Sequence, residues 1–151
     1  MVFVENMENN NILLSIKPKI LREIEAGEKK YEFRKNFPNL NDAIFLRKPI
    51  FIYESKPTMK IVGKFEVSEF YNTTFEELAT ILDLQGDYKK RIKNYFGNQT
   101  ENCIAMKIEE LQIFKNSLHL YDIRKITEGF WPGQSYRFIP PSLLSACLSL
   151  T

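Results

Sequence analysis

ILLSIKPKILREIEAGEKKYEFRK, residues 12–35, changes its hydrophobic period twice in one short stretch. Ile12 to Ile16 reads as a buried strand, with Ser15 and Lys17 on the face opposite Leu14 and Ile16. Pro18 suits a first helical turn, where its missing N–H leaves nothing unpaired. Ile20, Leu21 and Ile24 follow at helical spacing, and Gly27 stands where a C-terminal cap belongs. From Lys30 the period becomes two, which sends Tyr31 and Phe33 to a core and Lys30, Glu32 and Arg34 to the other face. Strand, helix and strand then present charged side chains beside one helix. A site is expected here.

Outward from this unit, Asn36 to Asp42 is rich in turn formers, and Pro49 to Glu54 is apolar on both sides, as a central strand would be. Ser55 to Thr58 makes a turn. Met59 to Tyr71 is a long strand in which Gly63 marks a bulge or bend. A bent strand of that length suits a small barrel. Thr73 and Thr74, with Glu76 and Glu77 three positions on, offer two overlapping capping boxes. The helix they open carries Phe75, Leu78, Ile81 and Leu82 on one face and ends near Gly86. A second helix, Asp87 to Gly97, turns Tyr88, Ile92, Tyr95 and Phe96 inward and holds Lys89, Lys90, Arg91 and Lys93 outside. Ile104 to Phe114 returns to a strand pattern, and the pattern weakens after His119. Pro140 and Pro141 precede an apolar stretch, Leu143 to Leu150, expected to fold back onto the domain.

Only the first helix separates consecutive strands. The expected fold is therefore α+β: a mostly antiparallel, partly closed β-barrel with flanking helices. The expected organisation is a loose tail at 1–11, one domain at 12–138 and an apolar tail at 139–151.

With 151 residues, 44% hydrophobic and 13% aromatic, the chain can bury a sizeable core. A net charge of +2 sets up no global basic field, so nucleic-acid binding would need a local patch. Cys103 and Cys147 are far apart, which argues against a disulfide framework or a cysteine zinc site and for a reduced, cytoplasmic protein. No signal peptide or membrane span is expected, and a monomer is favoured.

One histidine, His119, lacks any local nucleophile or acid signature, so a catalytic triad is not expected. Neither a metal cluster nor a Gly-rich phosphate loop is present in the pattern, and no cofactor is expected. What remains is a charged cluster of Lys17, Lys19, Lys29, Lys30, Glu32 and Arg34. Its cations suit a phosphate or carboxylate, Arg34 through a bidentate contact, and Glu32 suits the donors of a base edge. The plainer reading is a solvated face with internal ion pairs such as Arg34–Glu32. Lys89, Lys90, Arg91 and Lys93 carry the same two readings. Tyr53, Tyr71, Trp131 and Tyr136 are rings that stack on bases or fill a core.

LLSIKPKILREIEAGEKKYEFRK resembles the opening signature of the ASCH domain, a branch of the PUA-like superfamily. The likeness continues through PIFIYESKP and KIVGKFEV, then through NYFG, IAMKIEEL and PGQSYRF. The resemblance implies a β-barrel with a cleft between barrel and helices that binds RNA or another nucleotide-containing ligand. It places Ser15, Lys17, Lys29, Lys30, Glu32 and Arg34 along that cleft, Tyr53 and Ser55 facing them, and Gln134 and Ser135 closing one side. An enzymatic branch of acetylcytidine amidohydrolases uses a lysine, a threonine nucleophile and an acid. Lys29 matches the lysine, but the threonine position falls on Glu32, which is no hydroxyl nucleophile. Binding of RNA or a modified nucleotide is the expected function. A small hydrolase of nucleosides or RNA using Lys29 and Glu32, and a regulatory protein-interaction module, are the alternatives.

Overall fold

The opening unit forms as its periods require. β1 (Ile12–Ile16) is buried on both faces, with Leu13 in one apolar cluster and Leu14 and Ile16 in another. Lys17 keeps extended backbone, and α1 (Pro18–Glu25) then starts with its proline in the first turn and buries Leu21 and Ile24. Gly27, at φ +76°, takes the left-handed conformation that ends the helix without a Cβ clash. β2 (Tyr31–Arg34) follows directly. The computed structural model describes residues 11–45 and 47–151, so the tail expected at 1–11 lies, Asn11 apart, outside the described residues.

The chain continues through α2 (Asn41–Phe45), β3 (Ile50–Glu54), β4 (Lys60–Thr73), α3 (Phe75–Ile81) and α4 (Gly86–Phe96). Then come β5 (Cys103–His119), α5 (Leu120–Ile126), β6 (Tyr136–Phe138) and α6 (Pro141–Ser149). The strands form one sheet in the order β2-β5-β4-β3-β1-β6. β1 and β3 pair in parallel, and every other neighbour is antiparallel. The result is an α+β fold with a curled, half-barrel sheet.

The curl has a local cause. The β4–β5 ladder shifts register at Ile61/Gly63, Lys64/Glu66 and Val67/Glu69, and each irregularity adds bend and twist. At Gly63 a Cβ would stand 2.4 Å from the Gln112 carbonyl oxygen, so glycine alone permits the close approach of β5. Bending brings opposite ends of the sheet together. Arg34 on β2 donates from Nη2 to the Ser15 carbonyl of β1 (3.0 Å) and from Nη1 to Ser135 Oγ just before β6 (3.1 Å).

Three apolar clusters fix the layers. Leu14, Ile16, Ile52, Phe65 and Met106 pack with Leu21 of α1. Leu13, Phe51, Ile61 and Phe114 pack with Ile123 of α5 and with Leu143 and Cys147 of α6. Phe33 and Ala105 pack with Phe75 and Leu78 of α3 and Ile92 and Phe96 of α4. The apolar tail is thus a helix folded back onto the sheet, and burial pushes the Cys147 thiol up to about 12.

Several local expectations are corrected. Ile81, the last residue of α3, is 51% exposed, because Ala79 rather than Ile81 joins Phe75 and Leu78 in the core. Tyr95 is also exposed, its ring lying 5.4 Å from Lys35 Nζ instead of entering the core. β5 runs past Phe114 to His119, whose Nδ1 caps α5 by accepting the Tyr121 N–H at 3.0 Å. The helices α2 and α5 lie in segments that read as loop or as unpatterned.

Candidate functional site

β1 and β2, joined by α1, form one wall of a cleft of about 720 Å3, a volume typical of small-molecule sites. Ser15, Lys17, Lys29, Glu32, Arg34, Tyr53, Ser55, Gln134 and Ser135 all line it. Lys30 does not. It is exposed, and its backbone carbonyl accepts from Ile108 N–H at 2.9 Å. Residues more than a hundred positions apart therefore meet in one concavity because the sheet curls.

The floor is unusual in carrying buried charge. Glu32 is 5% exposed and Lys29 is 7% exposed. Glu32 Oε1 lies 3.5 Å from Arg34 Nη2. Its Oε2 and the Nε of Arg34 are buried without a hydrogen-bond partner among the protein atoms. Such groups carry a desolvation cost of about 1–3 kcal/mol each when unmatched, which a ligand offsets with a donor to Glu32 Oε2 and an acceptor for the Arg34 Nε–H. The Lys29 ammonium lies 4.9 Å from the Phe33 ring centroid. Burial lowers its pKa below the ordinary lysine value, and the charge of Glu32 works in the opposite direction.

The side wall is a held loop. Ser15 donates its backbone N–H to the Ser135 carbonyl (2.8 Å) and its Oγ–H to the Gly133 carbonyl (3.1 Å). Gly133 adopts φ +82°, and a Cβ there would crowd the Tyr136 carbonyl at 3.1 Å. Gln134 and Ser135 are thus placed by β1 on one side and by Arg34 on the other. Tyr53 is 3% exposed, and burial raises its phenol pKa while the Arg124 charge opposes. Ser55 is tied to the end of β1, its N–H donating to the Ile16 carbonyl at 3.0 Å.

Thirteen further residues line the cleft, among them the cations Lys56, Arg91 and Arg124 and the ring of Trp131. Arg91 turns into the cleft mouth and makes a two-pronged contact with Glu23 of α1, at 3.0 and 2.7 Å. This corrects its expected place on the outer stripe, and the signal was available. Positions 88, 91, 92 and 95 share one helical face, so Arg91 belongs with Tyr88 and Ile92. Lys56 sits in the turn after β3. Arg124 and Trp131 come from the unpatterned segment, where no sequence period marks them. Lys17, Lys29, Arg34, Lys56, Arg91 and Arg124 make the lining cationic around the single carboxylate of Glu32. Of the other rings, Tyr136 packs on Phe37 at 4.8 Å, and Tyr71 hydrogen-bonds Glu69; neither lines the cleft. Among the described residues, no group of three His, Cys, Asp or Glu is placed to hold a metal ion. No helix there is long and apolar enough to cross a membrane.

A curled α+β half-barrel with a cationic lateral cleft defines a PUA-like protein. The ASCH domain profile matches residues 14–126, and the chain belongs to the ASCH domain family. The crystal structure of ASCH from Zymomonas mobilis superposes with a TM-score of 0.76 at 21% identity, over 95% of this chain and 96% of that one. A serine-to-alanine variant of the same protein gives 0.76 at 20% identity, over 95% and 98%. The N-terminal domain of Staphylothermus marinus McrB gives 0.57 at 14% identity, over 95% of each chain. At such identities the likeness concerns the fold. Comparison with curated proteins returned no match.

Proposed function

We propose that the cleft binds RNA or a modified nucleotide, with one base turned inward to Glu32 and Tyr53 and phosphate held by cations nearer the mouth. The observation that carries this reading is the Glu32 carboxylate, buried at the cleft with one oxygen lacking a protein donor. The amino and imino N–H groups of a base edge are donors that such an oxygen accepts. Tyr53 stays a neutral phenol over a wide pH range and can donate to or accept from the same edge. Lys17 and Lys56 are exposed and line the cleft, which suits phosphate contacts that release counterions. Ser15, Gln134 and Ser135 supply further polar contacts along the wall.

Titration of a panel of RNAs and nucleotides at low salt tests this reading. Saturable binding is expected, weaker in the Lys17→Ala/Lys56→Ala double variant and with a salt slope smaller by about one per phosphate contact removed. No binding to any member of the panel at low salt would rule the reading out.

A hydrolase of acylated nucleosides or RNA is favoured by one observation only. Lys29 has a lowered pKa and lies in the same cleft as Glu32, an arrangement usable for general acid–base work. Incubation with both substrate types decides the point. Turnover lost in Glu32→Gln supports it, and turnover equal in the variant indicates a contaminant.

A further inference from the structure

The structure points to a chain rather than a free nucleotide as the ligand: we propose that bases flanking the bound one, in a single-stranded nucleic acid, stack on the exposed ring of Trp131, which lines the cleft, and on Tyr121 beyond it. This rests on the cleft reading above. Trp131 is 70% exposed and Tyr121 is 68% exposed, the two most exposed large apolar side chains among the described residues. Isolated exposed rings are ordinary, but these two share a local design.

Each carries a cation against its face. The Arg124 guanidinium lies 4.9 Å from the Trp131 centroid, and Lys125 Nζ lies 4.5 Å from that of Tyr121. Tyr121, Arg124 and Lys125 are spaced i, i+3 and i+4 on α5, so they share one side of that helix. Lys125 also pairs with Asp122 at 3.8 Å, both groups well exposed, a contact that solvent and salt weaken. α5 lends Leu120 and Arg124 to the cleft lining, and Trp131 lines it as well, which makes the platform continuous with the base site.

Trp131 is also held from behind. Its carbonyl accepts from Arg137 Nη1 at 2.6 Å, while the Arg137 guanidinium sits 4.5 Å from the buried Phe130 ring. Arg124 Nε donates to the Phe130 carbonyl at 3.1 Å. A large ring kept in solvent by a fixed backbone, with a cation over one face, is the arrangement that sequence-tolerant single-strand binders use: bases stack on the ring while phosphates track the cations. A free nucleotide in the cleft would leave Tyr121 unused.

Trp131 is the chain's one tryptophan, so its fluorescence reports stacking directly. The test compares mononucleotides with single-stranded RNA and DNA of about eight nucleotides. The expected result is roughly tenfold tighter binding of an oligonucleotide than of any mononucleotide, with Trp131 emission quenched. Tyr121→Ala should lose several-fold in oligonucleotide affinity while its mononucleotide affinity stays that of the wild type, and Trp131→Phe should keep more oligonucleotide affinity than Trp131→Ala. Equal affinity for oligonucleotide and mononucleotide, with emission unmoved, overturns the platform and leaves the cleft reading intact. Absence of binding to either class overturns both.

Discussion

Around β2, Lys29 and Glu32 are almost wholly buried and Arg34 spans the seam between the two ends of the sheet, whereas on α4 Lys90 and Lys93 stand in solvent. Both regions are runs of like composition, and charge does not distinguish them. Geometry does. β2 is the edge of a curled sheet, so one face packs Phe33 under α3 and α4 while the other is enclosed by β1 and the loop before β6. A helix on a domain surface keeps an outer face in water, and long cationic side chains there are already solvated. Cations are costly, and therefore informative, only where the fold removes them from water.

The difference can be broken most severely at Arg34. Arg34→Ala removes both seam hydrogen bonds and strips Glu32 of its ion-pair partner, so a loss of about 3–5 kcal/mol in urea unfolding is expected. A loss below about 1 kcal/mol would mean the seam does not hold the barrel.

Lys29 sharpens the contrast with the opposite sign. Because burial lowers its pKa, the folded state carries an unfavourable ammonium at neutral pH, and Lys29→Met should raise stability there. As pH rises from the lowered folded value toward the ordinary lysine value, the unfolded wild type binds more protons than the folded one. Wild-type stability therefore climbs, and the gap to the variant closes. Unfolding curves collected from neutral to alkaline pH check this, and a gap constant across that range contradicts it.

Glu23 and Arg91 stand between the two extremes. Their contact lowers the Glu23 pKa through the Arg91 hydrogen bond, so its stabilisation is present above the ordinary carboxylate range and is lost as pH falls through the lowered value. With Arg91 nearly half exposed, Glu23→Gln should cost no more than about 1 kcal/mol near neutral pH. The smallest effect belongs to the α4 stripe. Replacing Lys89, Lys90 and Lys93 with alanine should change stability by no more than about 0.5 kcal/mol per site. Mononucleotide affinity should be unchanged in that variant. A large loss of mononucleotide affinity there would move the site out of the cleft.

Much of this was legible in the chain because periodicity and punctuation agree with tertiary packing. Pro18, Gly27 and Gly63 mark a helix start, a helix end and the bend in β4. Nine of the residues expected at the site converge because they lie on β1, β2 and the ends of neighbouring strands. The failures are equally physical. α2 hides in turn-forming residues because it is a single short turn, with Asn39 Oδ1 accepting the Asn41 N–H at 2.8 Å. α5 hides because Tyr121 and Ile126 are apolar yet exposed, which blurs the stripe set by Leu120 and Ile123. Arg124 goes unmarked with it, and Trp131, read as a ring that stacks on bases or fills a core, is not placed at the cleft by its sequence. Their place in the cleft depends on how the segment after β5 folds over the sheet, and no local pattern encodes that.

The account turns on the unpartnered oxygen of Glu32. Calorimetric titration of the RNA and nucleotide panel into wild type and Glu32→Gln, with folding of the variant verified by its unfolding curve, tests it most directly. Saturable binding to the wild type and at least about tenfold weaker binding to the variant are predicted, as expected when an acceptor buried against a base edge gains donors of its own. Equal affinity in a folded variant would contradict it.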